Sequence, residues 1–440
     1  MIKAIRLFNF FSFRGETTIN LHPELNVLVG MNGSGKSNLL KALQLLKAVA
    51  SGELDKLINK EWGGYNSMAF YGASRPEIPI EIQFLFDSKA FDLRHDYSQD
   101  EIDLTNTFPL EAFATPNVSA SSFFPTLLYR IIIFPVGETR YSIVESFYLK
   151  AARPLKSDDI DEQPADEFTT NERDIEYFNF KSGVGFIDSL VRNREHAPKR
   201  EMEAISEHES AFGEINSARY GLLNRIRNTL KTLAIYEAFD TRPKSQMRLP
   251  IETEGYTRLA SDGGNLAQVL NHIKNNSRSS FAKIREGLQE INPAYKAIEF
   301  SFFANRIQLM LEEAGLEKAI SAYHLSDGTL RYLCLLAICH NPSIGKVVAI
   351  DEPEVFLHPD MIYGLQKLFR DASKKTQFIL TTHSAHFLDY FDFEHIRVVE
   401  KDEHNRTVVA QYSKENFKGW YEEFAIGKMW RAGDLGGNRW

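Results

Sequence analysis

GMNGSGKS, residues 30–37, decides the fold of this chain. It satisfies the pattern G-x-x-x-x-G-K-[ST] at every fixed position, and the chemistry of a phosphate cradle explains each residue type. Glycines at 30, 33 and 35 let the backbone curl so that its N–H groups point inward at an anion. Asn32, Ser34 and Asn38 lie among the amides that complete the lining. Lys36 brings a full positive charge for the outer phosphates, and the Ser37 hydroxyl is a ligand for a divalent cation. A glycine-rich turn matching by chance is the competing reading. The flanks argue against it. LNVLV (25–29) is a short buried strand, and NLLKALQLLKAV (38–49) has helical periodicity, so the loop sits between a strand and a helix as the cradle requires.

Working outward, VVAIDE (347–352) has four apolar residues that bury a strand and deliver two carboxylates at its carboxyl end. Ligands of open parallel sheets bind at that edge. Asp351 is placed to hold the metal and Glu352 to act as general base on water, a role worth about 10²- to 10⁴-fold in rate. Taken alone, the pair reads sooner as a solvated acidic turn. Its weight comes from the phosphate loop. Thr329–Cys339 and Met361–Ala372 have helical patterns, and Gln377–Leu380 and Arg397–Glu400 read as strands. This alternation predicts a largely parallel sheet.

The remaining chain is read more coarsely. Ile78, Ile80, Ile82, Phe84 and Phe86 share one face of a predicted half-buried strand. Residues 127–134 and 141–149 are predicted to pair around Gly137. Residues 156–167 (KSDDIDEQPADE) are acidic and apolar-poor, a solvated loop. Residues 188–239 are charged and read as mostly helical with one buried stripe. Their Arg192, Arg194, Lys199 and Arg200 are either a solvated face or a nucleic-acid contact. Residues 298–303 and 306–312 read as a hairpin turning at Ala304 and Asn305. We divide the chain into 1–86 and 241–440, two parts of one head, and 87–240, an insertion with strands and a helical subdomain.

Composition limits the function classes. A net charge of −8 over 440 residues leaves no generally basic nucleic-acid-binding surface, only room for a local patch. No run approaches the roughly 20 apolar residues that cross a bilayer, and residues 1–13 lack a signal-peptide pattern. Membrane partners are therefore not expected. Cys334 and Cys339 are read as reduced core residues of a cytoplasmic protein.

With these motifs in hand a resemblance appears. LSDGT (325–329) resembles the ABC-ATPase signature, usually LSGGQ. ILTTHS (379–384) resembles the strand that carries the switch histidine, here His383. The opening 5–13, with Asn9, Phe10, Ser12 and Phe13, is similar to the first strands of RecF-, SMC- and OLD-type ATPases. SDGGNLAQVL (261–270), DEPEVFLHP (351–359) and GDLGG (433–437) resemble bacterial stand-alone ATPases near RecF and the ATPase half of OLD nucleases. The likeness covers about 1–85 and 241–440.

It implies an α/β fold: an ABC-ATPase head with a P-loop NTPase mixed sheet and flanking helices, using ATP and Mg2+. It further implies a homodimer closed on ATP, in which Ser326 and Gly328 of one copy contact the γ-phosphate held by the other. Lys36, Glu352 and His383 would be catalytic. A plain helix cap is the other reading of LSDGT. The sequence departs from the family at Asp327, where a glycine is usual, and at Thr329, where glutamine is usual. Asp327 brings negative charge toward a phosphate and so predicts weaker closure or slower turnover. Phe11 and Phe13 are read as core residues or as an adenine stack. Gln83 is a weak match to the glutamine loop. His358 is expected to be structural or at the dimer interface. His383 and His386 are not read as a metal pair.

The resemblance points to a clamp or sensor in DNA maintenance or phage defence. No acidic constellation for a nuclease follows His383, so a separate nuclease or other effector would do any cutting, and nucleic acid is a candidate ligand. A slow nucleotide-gated scaffold that holds a partner protein is the alternative. A transporter subunit fits the opening strands and the middle insertion poorly.

Overall fold

A computed structural model describes residues 1–70, 78–91, 126–137, 140–150, 166–170, 174–181, 184–187, 200–201, 208–214, 221–417 and 425–436. Contacts between Cα atoms divide the chain into two units that alternate along the sequence. The first comprises 1–23, 41–231 and 401–409. The second comprises 24–40, 232–400 and 410–440.

The second unit carries the motifs. Its central strands are β3 (Leu25–Val29), β10 (Ala234–Tyr236), β15 (Val347–Ile350), β16 (Gln377–Thr382) and β17 (Ile396–Lys401), in the order β10-β15-β16-β3-β17. All neighbouring pairs in this row run parallel. Every residue of β3, β15 and β16 is buried, as expected where both faces of a parallel sheet are covered. The register sets Leu380 against Val27 and Ile350 against Leu380, so the carboxyl ends of β3, β15 and β16 finish side by side. The phosphate loop, Asp351 and His383 follow those three strands directly. The expected parallel sheet is therefore present, and its strand order brings three distant motifs to one edge.

Helices α2 (Tyr65–Met68), α3 (Ala211–Glu214) and α4 (Gly221–Lys231) belong to the first unit, whereas α5 (Leu266–Asn276), α6 (Arg278–Ile291), α7 (Asp327–Cys339) and α8 (Pro359–Ser373) belong to the second. Leu330, Leu333 and Leu336 of α7 share a core with Val348, Phe369, Phe378 and Leu388. Cys334 and Cys339 are free and buried in it, and burial pushes both thiols up, as befits inert core residues. A smaller sheet holds β11 (Ile251–Glu252), β12 (Tyr295–Phe303), β13 (Arg306–Glu313) and β14 (Ile320–Ser321). The hairpin β12–β13 turns where expected, with Ala304 at φ 53°.

The first unit is built on an antiparallel sheet of β1 (Ile2–Phe8), β2 (Thr17–Asn20), β4 (Ile80–Asp87), β5 (Thr126–Val136), β6 (Arg140–Lys150), β7 (Ile175–Lys181), β8 (Val184–Ile187) and β9 (Arg200–Glu201). The order is β2-β1-β4-β5-β6-β7-β8-β9. The β5–β6 pair forms as the sequence predicted, with Gly137 at φ 66°. β4 is not half-buried, however. Leu85, on the face read as solvated, packs with Ala4, Leu128 and Phe168, so both faces are covered. Glu145 is wholly buried. It accepts hydrogen bonds from Tyr129 Oη (2.6 Å), Ser210 Oγ (2.7 Å) and the Ala211 amide (2.9 Å), which satisfy a carboxyl whose pKa burial raises.

Among the described residues of 188–239, Ala211–Glu214 and Gly221–Lys231 are helical as expected, whereas Arg200–Glu201 and Ala234–Tyr236 are strands. AIY is β-branched and aromatic, and it completes the parallel sheet beside β15. Arg192, Arg194 and Lys199 lie outside the described residues, as does most of the acidic stretch. Its last two residues pair with cations: Asp166 with Arg6 (2.6 Å) and Glu167 with Lys3 (3.1 Å).

Candidate active site

The phosphate loop leaves β3 and enters helix α1 (Lys36–Ser51). Its glycines are obligatory for steric reasons. A Cβ on Gly30 would stand 2.3 Å from the Val399 carbonyl oxygen and 2.5 Å from Ser34 Oγ. Gly33 and Gly35 have φ of 80° and 110°, a region costly to other residues. The Ser34 amide donates to the Met31 carbonyl (3.1 Å) and the Asn38 amide to the Gly35 carbonyl (3.1 Å), while Asn32 is exposed. Lys36 Nζ donates to the carbonyls of Gly30 (2.8 Å) and Met31 (3.1 Å), which closes the loop around the ammonium. Burial lowers the Lys36 pKa, and Glu352 and Asp351 act against that shift.

Across the loop, Ser37 Oγ donates to Asp351 Oδ2 at 3.2 Å. Two neighbouring ligands of an octahedral magnesium, each about 2.05 Å from the ion, lie about 2.9 Å apart. The hydroxyl–carboxylate pair is therefore an oxygen donor set of the right chemistry and near the right span for Mg2+.

Strand β16 organises the two carboxylates. The Thr381 hydroxyl donates to Asp351 Oδ1 and accepts from the Glu352 amide (3.0 Å). One buried hydroxyl thus ties the candidate metal ligand to the backbone of the candidate base. Glu352 sits at φ 46°, a left-handed conformation that costs a non-glycine residue about 1 kcal/mol or more and gathers at functional sites. Its Oε1 meets His383 Nδ1 at 2.8 Å. Both side chains are partly exposed, so a water can reach them. The neighbouring Thr382 hydroxyl donates to Glu354 Oε1 and accepts from the Ser384 amide (2.9 Å). Glu354 is 6% exposed and its Oε2 has no hydrogen-bond partner among the described residues. Burial pushes its pKa up to about 7.

Lys36, Ser37, Asp351, Glu352 and His383 therefore share one site. Ser326 and Gly328 make their contacts elsewhere. Ser326 is the N-cap of α7, its Oγ accepting from the Thr329 amide (3.1 Å). Gly328 is pressed by the Phe356 carbonyl, which would stand 3.1 Å from a Cβ there. Both residues lie at the N-terminus of a 13-residue helix, which favours an anion. His358 caps α8, its Nδ1 accepting from the Asp360 amide (3.4 Å). His386 lies in the short helix 385–388. Gln83 donates to Glu81 within β4 of the first unit. Phe13 is fully buried there, whereas Phe11 is half-buried under the Lys41 ammonium (3.9 Å to the ring centroid).

Sequence reasoning missed Thr381, Thr382 and Glu354. The signal was present in TTHS, where adjacent hydroxyls end a buried strand, and in the second acid of DEPE.

Comparison with known proteins bears on the family and the fold. A family model described as "AAA domain, putative AbiEii toxin, Type IV TA system" matches residues 25–389. The OLD nuclease of Thermus scotoductus is 39% identical over 75 residues, 17% of this chain and 14% of that protein. The chromosome partition protein Smc of Synechococcus is 50% identical over 50 residues, 11% of this chain and 4% of that protein. Those matches thus span a small fraction of the relatives' own length. Among solved structures, an Smc head bound to the C-winged helix domain of ScpA superposes with a TM-score of 0.52 at 13% identity, covering 94% of this chain and 99% of that one. An Smc head with an extended coiled coil, bound to the C-terminal domain of ScpA derived from Pyrococcus furiosus, gives 0.53 at 13% identity, covering 96% and 98%. At that identity the likeness concerns the fold alone, that of an Smc head. The chain belongs to the AAA-domain family matched over residues 25–389.

Proposed function

We propose that this protein binds ATP with Mg2+ and hydrolyses it in a site completed by a second copy. The observation that carries the reading is the meeting of residues 30–37, Asp351, Glu352 and His383 at one edge of the parallel sheet. In this reading the amides of Gly30 to Ser37 wrap the phosphates, with Asn32, Ser34 and Asn38 lining the loop. Lys36 leaves its two carbonyl partners for the β- and γ-phosphates. Ser37 and Asp351 would hold Mg2+, which would offset phosphate charge. Glu352 accepts a proton from the attacking water, and His383 holds that carboxylate in place. Ser326 and Gly328 of the facing copy present a helix N-terminus to the γ-phosphate. Phosphoryl transfer depends mainly on positioning and charge stabilisation, which this arrangement supplies.

The likeness to Smc and OLD proteins supports a role beside DNA, as a clamp or sensor in genome maintenance or phage defence that works with a separate effector such as a nuclease. Residues 87–240 are then an insertion between the two parts of the head, 1–86 and 241–440. Reduced, buried Cys334 and Cys339 support a cytoplasmic setting. Among the described residues no helix is long and apolar enough to cross a membrane. The test is Glu352→Gln sized with ATP and Mg2+. Chemistry blocked after closure predicts a stable dimer, and a variant that binds ATP yet stays single contradicts the shared site.

Asp327 favours a second reading, a slow nucleotide-gated scaffold that holds a partner protein. Turnover measured beside ATP-induced dimerisation separates the two: a scaffold dimerises and hardly hydrolyses.

A further inference from the structure

Asp327 places a carboxylate where the family keeps a glycine, beside the two residues proposed to meet a γ-phosphate. The structure supplies its counter-charge from Arg248, a residue outside every motif. Arg248 is 6% exposed. Its Nη1 donates to the carbonyls of Ala322 (3.1 Å), Tyr323 (3.1 Å) and Leu325 (2.7 Å), and its Nε to that of Thr241 (2.7 Å). Nη2 donates to Asp327 Oδ1. One guanidinium therefore fastens the whole turn that leads into α7 and ends on the departing residue. Its planar fork can make these bonds together, which a lysine cannot. A second guanidinium, Arg331, lies one helical turn on and interacts with Asp327. It also stacks on the exposed Phe356 ring (4.5 Å).

We propose that Arg248 is a positioning residue of the signature turn: it sets Ser326 and Gly328 in the shape that receives a facing triphosphate and neutralises the charge of Asp327. The inference rests on the shared-site reading above. Arg248 is buried and touches carbonyls, so it acts through the turn. Asp327 is more than half exposed and is the charge an incoming phosphate would meet. The Arg248–Asp327 pair is neutral by itself. Without Arg248 the turn is loosened and loses one positive charge. Without Asp327 it keeps its shape and gains net positive charge.

The experiment uses the full chain carrying Glu352→Gln, with ATP and Mg2+. Dimer dissociation is measured by analytical ultracentrifugation, and ATP affinity of the single copy by fluorescent-nucleotide titration. A buried charge-assisted hydrogen bond is worth about a tenfold to hundredfold change in an equilibrium constant. Arg248→Ala is expected to weaken the dimer by about that factor, with single-copy ATP affinity unchanged because residues 30–37 are untouched. Arg248→Lys should fall between. Asp327→Asn alone should leave the dimer at least as tight, and added to Arg248→Ala it should recover much of the loss. A purely structural role would show no such rescue. An Arg248→Ala dimer as tight as its parent overturns the inference, and so does Asp327→Asn weakening the dimer tenfold. If Arg248→Ala loses nucleotide binding through misfolding, Asp327→Asn and Arg248→Lys decide alone. A Glu352→Gln parent that never dimerises sinks the shared site and this inference together, a pattern distinct from variants failing on a sound parent.

Discussion

Glu354→Gln should abolish a pH dependence of stability that the buried carboxyl confers. Burial raises Glu354 from its ordinary 4.5 to about 7 in the folded protein. The unfolded chain loses that proton near 4.5, whereas the native state keeps it until about pH 7. Between these values the native state binds more protons than the unfolded one, so stability is full below 4.5 and declines as pH rises through 7. At about 1.4 kcal/mol per pKa unit, the whole shift is worth about 3 kcal/mol. Integrating the two titrations places about 2 kcal/mol of it between pH 5.5 and pH 8. Glutamine has the same shape and can still accept from Thr382, but it carries no titrating proton. Its amide nitrogen would occupy the position where Oε2 has no partner, at a cost of about 1–3 kcal/mol that does not change with pH. The assay is urea unfolding of nucleotide-free protein, followed by circular dichroism from pH 5.5 to 8. The parent should lose about 2 kcal/mol relative to the variant across that range. Parallel curves for the two proteins would show that Glu354 is already ionised at pH 5.5 and would refute the burial argument.

Three further outcomes follow from the site. Lys36→Ala should lose ATP binding in equilibrium titration while melting near the parent temperature, and unchanged affinity contradicts the phosphate-loop assignment. Thr381→Val removes the hydroxyl that joins Asp351 to the Glu352 amide. Turnover should fall about tenfold or more, with ATP binding largely kept, because one hydrogen bond to a charged group is worth about 1.5–3 kcal/mol. A nucleic-acid role predicts ATP-dependent binding that weakens steeply with salt. A flat titration at low salt removes that role.

The sequence by itself picked out the residues that the candidate site brings together. The constraints on a phosphate cradle are local. They need glycines where the backbone takes a positive φ or passes close to Ser34, a lysine at the loop's end and a helix after it, all within residues 25–49. The parallel strands β3, β15, β16 and β17 are similarly legible because each centres on a short apolar run, whereas β10 lies in a stretch that reads as helical. Two things were decided only by tertiary structure. One is the alternation of the units, in which residues 24–40 join 232–400 while 41–231 build the antiparallel sheet. The second face of β4 is covered by residues distant in sequence, so local alternation misjudged its burial. The other is the set of supporting partners. Thr381 reaches back 30 residues to Asp351, Glu354 forward 28 to Thr382, and Arg248 forward 79 to Asp327. Such pairs have no period and no fixed spacing, since strand order and side-chain direction create them after the chain has folded. For this reason Asp327 reads in sequence as an uncompensated charge and in the structure as half of an ion pair.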